Sequence, residues 1–211
     1  MIRSNAKSAL LALGVAGFLA SGLTAPASAG ALYDNLGETS QGASSLGGSS
    51  ATADSFSTGS SGSMLQDVKL LLGLDGGPGT GRFQVFLVSN DGNTLGTILD
   101  QLGGTYAATL LSPTVGVFDI SLATPVALLA NTRYWIAILP RGTPGFWFYD
   151  SDSSGTGVAG EYWQSGGVAS PNSTGPGPFQ MQLGSAALPE PASLALFGLG
   201  LAGLGLIRRR A

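Results

Sequence analysis

The chain has 211 residues, a formal net charge of −3, and neither cysteine nor histidine. No Ser-His-Asp or Cys-His nucleophile system and no His/Cys zinc site can be built from it, and no disulfide can brace it. Between its two terminal apolar segments, residues 31–187 carry four basic side chains (Lys69, Arg82, Arg133, Arg141) against eleven acidic ones. The resulting net charge of −7 disfavours nucleic acid as a partner.

At the N-terminus, Arg3 and Lys7 precede an apolar run from Ala9 to Leu19, and Ala27-Ser28-Ala29 supplies small residues after it. That pattern predicts a secretory signal peptide over 1–29, with Ala27 and Ala29 at the cleavage point and the Sec translocon and signal peptidase as partners. Cleavage after Ala29 leaves a mature chain starting at Gly30. Residues 31–187 then have the length of one domain whose core must hold without a disulfide.

The periodicity of that domain is two throughout. Val68, Leu70, Leu72 and Leu74 alternate with Asp67, Lys69 and Gly73, and Phe83, Val85 and Leu87 alternate with Arg82 and Gln84. Further strands are predicted at 52–58, 115–122, 132–139, 145–149, 160–164 and 178–183. Turn chemistry separates them at Asp75-Gly76-Gly77-Pro78-Gly79, Asn90-Asp91-Gly92-Asn93 and Arg141-Gly142-Thr143-Pro144. Eight or nine short strands so spaced predict an all-β, antiparallel, jelly-roll-like β-sandwich. In the Ser/Gly-rich stretch 37–63, the strand at 52–58 is expected at a sheet edge between two mobile loops.

One local pattern has chemistry in it. Asp150-Ser151-Asp152-Ser153-Ser154-Gly155 is followed after five residues by Glu161, the oxygen spacing of a twelve-residue calcium loop. Its ligand set would be Asp150, Asp152, Ser154, Thr156 and Glu161, and calcium the only cofactor suggested. The flanks, Phe146 to Tyr149 and Tyr162-Trp163, read as strands rather than helices, so a Ser/Gly/Asp turn with its acids in Asx-turns fits the same residues. An acid/base pair drawn from Asp150, Asp152 and Glu161 is the one enzymatic chemistry open to this chain, and the expectation is that it is not an enzyme. Aromatic residues crowd beside the loop. Alternation puts Phe146 and Phe148 on one face and Trp147 and Tyr149 on the other, which makes Trp147, Tyr149 and Trp163 candidates for stacking on a glycan. Both sheets needing large residues inward explains the same rings.

The C-terminus reads L-P-E-P-A-S-L-A-L-F-G-L-G-L-A-G-L-G-L-I-R-R-R-A from Leu188 to Ala211. Pro189-Glu190-Pro191 cannot join a helix or a ladder. Residues 192–207 carry no charge, and as a helix at about 1.5 Å per residue would cover roughly 24 Å, enough for a thin membrane. Arg208, Arg209 and Arg210 stop the run and belong on the cytoplasmic side. This tail resembles the PEP-CTERM sorting signal of Gram-negative bacteria, departing from its commonest form in Leu188, where Val is frequent. The resemblance implies recognition by an inner-membrane exosortase, cleavage near Pro189-Glu190-Pro191, and delivery to the cell surface or extracellular matrix.

A second resemblance covers the domain. Ser55-Phe56-Ser57-Thr58-Gly59, Leu65-Gln66-Asp67-Val68-Lys69-Leu70, Val85-Phe86-Leu87 and above all Ala130-Asn131-Thr132-Arg133-Tyr134-Trp135-Ile136 look like the secreted domains called choice-of-anchor R. That resemblance implies a β-sandwich and no particular activity. Two functions are therefore expected: a structural protein of the exopolysaccharide or biofilm matrix, or a carbohydrate-binding module, calcium-assisted, using Trp147, Tyr149 and Trp163.

Overall fold

Strand after strand forms where apolar side chains recur at every second residue, and the alternation decides which face each strand buries. The computed structural model describes residues 30–187 except 49, 75 and 151. The predicted signal peptide with Ala27 and Ala29, and the tail from Leu188 with its expected helix at 192–207, lie outside the described residues. In chain order the strands are β1 (Gly30–Asp34), β2 (Gly42–Leu46), β3 (Thr52–Ser57), β4 (Ser63–Gly73), β5 (Thr80–Asp91), β6 (Thr94–Ala107), β7 (Val115–Leu128), β8 (Arg133–Thr143), β9 (Gly145–Tyr149), β10 (Tyr162–Ser165), β11 (Val168–Pro171) and β12 (Met181–Ala187). One 3-10 turn, Ala108–Leu110, joins β6 to β7.

The strands form two six-stranded antiparallel sheets, consistent with the predicted β-sandwich. The first is built on β4, whose one edge pairs along its whole length with β7. On its other edge β12 pairs with Ser63 to Leu70 and β9 with Leu72 and Gly73, and β1 and β2 continue the sheet outward from these two. The second sheet has the order β11-β10-β3-β8-β5-β6. Leu65, Val68, Leu70 and Leu72 of β4 share one buried core with Phe83, Val85 and Leu87 of β5, Phe56 of β3 and Ile136 and Ile138 of β8. Each of these side chains contributes about 1.5–3 kcal/mol by leaving water.

The outer face of the second sheet holds a smaller apolar cluster, Ala53, Val88, Trp135 and Ala137. Its cover is the β5–β6 hairpin, which turns at Gly92 and Asn93, both with positive φ, the geometry that matches strand twist in a two-residue turn. Three register shifts between β5 and β6 bend the hairpin. Its tip lies across the sheet: Trp135 Nε1 donates to Asn90 Oδ1 at 3.1 Å, and the Leu95 amide to Gln164 Oε1 of β10 at 3.4 Å.

Two sequence expectations need correction. The strand predicted at 52–58 is interior, since β3 lies between β8 and β10 and Thr52 to Phe56 are all buried. The stretch before it is no simple loop, because Gly42–Leu46 is a strand paired with β9. Serine, threonine and aspartate in β3 look like exposure in sequence. Here Asp54 and Ser55 are covered because hydrogen bonds satisfy them.

Candidate functional site

The loop from Asp150 to Glu161 begins as consecutive Asx-turns. The Asp152 amide donates to Asp150 Oδ1 and the Ser154 amide to Asp152 Oδ1, each at 2.7 Å. The Ser154 hydroxyl, then its amide, holds the Asp152 carboxyl below its usual range. Thr156 is tied to β1 by a reciprocal backbone pair with Asp34, both bonds at 2.9 Å, so its carbonyl already accepts a hydrogen bond.

Glu161 points to other partners. Its carboxylate accepts from the hydroxyls of Ser55 and Ser57 on β3, and it forms an ion pair with Arg133 Nε at 2.8 Å. Arg133 also donates to Asn93 Oδ1 and to the Gly160 carbonyl, with its guanidinium 4.9 Å over the Tyr162 ring. The fold therefore brings Asp150, Asp152 and Ser154 together in one turn and commits Glu161 to a guanidinium. Among the described residues no group of three or more His, Cys, Asp or Glu side chains is arranged to hold a metal.

Behind Glu161, on the core side of β3, lies a second carboxylate that sequence reasoning did not single out. Asp54 is fully buried; its Oδ2 accepts from the Phe179 amide at 2.6 Å and its Oδ1 from Asn172 Nδ2 at 3.3 Å and the Tyr33 hydroxyl at 3.5 Å. Burial raises its pKa well above the ordinary carboxylate range, the Phe179 amide and Asn172 oppose that, and the charge of Glu161 adds to it. Burial likewise raises the Tyr33 phenol, with the charges of Asp54 and Glu161 adding to the effect. The network joins β1, β3 and the segments around 161, 172 and 179. Its chemistry is that of a polar cross-link inside the sandwich.

The three rings predicted as a glycan platform converge on Phe179. Trp147 stacks on it at 4.8 Å, while Tyr149 and Trp163 meet it edge-on at 6.3 Å. Trp147 is fully buried with Nε1 donating to the Gln180 carbonyl, and Trp163 is 8% exposed with Nε1 donating to the Thr174 carbonyl. This corrects the glycan expectation for Trp147 and Trp163, whose faces are covered by protein; Tyr149 is half-buried against the same ring. The expected alternation is present along β9, with Trp147 turned to the core. The face turned outward, however, carries Phe146 and Phe148.

Comparison with family models matches residues 187–210 to the PEP-CTERM protein-sorting motif. No curated protein and no solved structure matches the chain. Nothing in these comparisons supports the choice-of-anchor R resemblance. The matched segment contains Pro189, Glu190, Pro191 and Arg208 to Arg210, and it begins at the last residue of β12. The motif implies exosortase-dependent secretion, membrane-anchored transit before processing, and association with the cell surface or matrix.

Proposed function

We propose that this is a non-enzymatic structural protein of the extracellular polysaccharide or biofilm matrix, a β-sandwich released to that matrix through its C-terminal sorting motif. The observation that carries the reading is the junction at Ala187, where the final strand of the sandwich ends and the sorting motif begins. A folded module joined without a spacer to its sorting signal suits a cargo whose delivered part is the sandwich itself. The rings and carboxylates with the most chemistry in them brace the fold from inside, which favours the structural reading over the carbohydrate-binding one.

The test is deletion of 188–211 in the producing cell, followed by fractionation. The truncated chain is expected to keep its cooperative melt and to disappear from the surface and matrix fractions. Equal amounts of the full and truncated chains in those fractions would overturn the proposal.

A further inference from the structure

The two ends of the described chain leave the sandwich side by side. Gly30 pairs with Ser185, and Ala187 pairs with Ser63 at the start of β4. Two connections between the sheets lie at this same end, residues 58–62 from β3 to β4 and 129–132 from β7 to β8. They are bonded into a ledge: the Thr58 amide donates to the Thr132 carbonyl at 3.0 Å, the Asn131 amide to the Gly59 carbonyl at 2.8 Å, and the Thr58 hydroxyl to the Leu129 carbonyl at 2.6 Å. Neither connection contains a charged residue. Leu129 projects from the ledge with 72% of its surface exposed.

Chain length now limits how the sandwich can sit. From Ala187 to the start of the apolar run at Ala192 is five residue steps, at most ~18 Å when fully extended. The eleven residues of β4 carry the fold ~36 Å away from that end. The opposite end, where Val115 pairs with Gly73 and the 3-10 turn presents Leu110, is therefore about twice the tether's reach from the point of attachment.

The geometry points to a lipid-surface contact made by the Gly30/Ala187 end of the sandwich, with Leu129 at its tip, for as long as the sorting motif holds the chain in the membrane. This rests on the reading of the motif as a transient anchor, and it adds which surface of the domain meets the membrane. An uncharged ledge with one protruding leucine suits the headgroup boundary by apolar contact rather than by charge.

The natural absence of cysteine makes the test clean. Leu129→Cys and Leu110→Cys, at opposite ends and both at exposed apolar positions, would each be labelled with a thiol-reactive fluorophore in the full chain. Ser60→Cys supplies a second label on the ledge and leaves Leu129 in place. The chain would be placed in vesicles of phosphatidylethanolamine and phosphatidylglycerol containing a headgroup nitroxide lipid. Quenching at positions 129 and 60 is expected to exceed that at 110 severalfold and to change little with salt. Equal quenching at both ends, in chains that float with the vesicles, would overturn the contact and leave the matrix proposal standing. Failure to float would remove the anchored state, and the contact with it. Loss of surface delivery in cells tests the matrix reading separately.

Discussion

Asp54 is a carboxyl group without access to water, and its hydrogen bonds decide whether that is tolerable. The Phe179 amide, Asn172 and Tyr33 each donate to it. Burial nevertheless leaves its pKa well above the ordinary range, with the Glu161 charge adding to the shift. In the unfolded chain Asp54 gives up its proton near pH ~3.9, whereas the folded chain retains it to higher pH. Between those two values the native state binds more protons, so this residue's contribution to stability is complete at low pH and is lost as pH rises through the folded pKa. Asp54→Asn preserves an acceptor for the Phe179 amide and removes the titration. Thermal melts from pH 4 upward should show the variant gaining on the natural protein as pH rises; parallel curves would refute the assignment. Asp54→Ala takes the acceptor from the Phe179 amide and the Tyr33 hydroxyl, while Asn172 still has the Tyr33 oxygen and the Val158 carbonyl. It should cost about 1–3 kcal/mol for each of the two orphaned groups at low pH, the deficit narrowing as pH rises.

Among the elements, β4 has the most neighbours, and its last residue shows how closely they approach. Gly73 pairs with Val115 on one side and Phe146 on the other. A Cβ there would fall within the van der Waals radius of the Thr114 carbonyl oxygen, and that backbone cannot retreat without disturbing the start of β7. Gly73→Ala should therefore cost about 1–3 kcal/mol through overpacking, while Gly104→Ala in β6, with nothing near the added carbon, should stay within about 0.5 kcal/mol. Urea midpoints of the two variants against the natural chain check the contrast; equal effects would mean that β7 moves freely. β4 and β5 were plain in the sequence because each buries one face, as Leu65, Val68, Leu70 and Leu72 do. β6 carried no such signal, since this edge strand leaves even Ile98 and Leu99 half exposed. β2 was silent too, with only Leu46 buried among glycine, alanine and serine. For the site, Asp150 and Asp152 make the Asx-turns that their local sequence allows, each carboxylate accepting from an amide two residues on. The partners of Glu161, namely Ser55, Ser57 and Arg133, come from 28 to 106 residues away and leave no local pattern.

At the scale of the whole molecule, the chain closes on itself: β1 pairs with β12, and Ser185 Oγ donates to the Gly30 carbonyl across 155 residues. β12 also fills the edge of β4, and its Met181 and Leu183 are fully buried. Contacts so distant in sequence form late, after most of the loop-closure entropy has been overcome, so the sandwich cannot be completed before residue 187 is available. Where the chain is cut should then matter sharply. Ending it at Ala187 retains every described strand and should leave the melting temperature of the mature domain unchanged. Ending it at Gln180 removes two buried side chains at about 1.5–3 kcal/mol each, along with β1's strand partner and the hydrogen bonds of one long edge of β4. That loss is comparable with the ~5–15 kcal/mol by which a domain is stable, and the shorter chain should show no cooperative transition. Melting and protease resistance of chains 30–187 and 30–180 decide the matter, and matching behaviour would show that β12 is dispensable. If the contrast holds, a cut at Pro189 to Pro191 releases an intact sandwich, whereas a cut about ten residues earlier would release an unfolded chain. The position of the sorting motif just beyond β12 is then a requirement of the fold as well as of sorting.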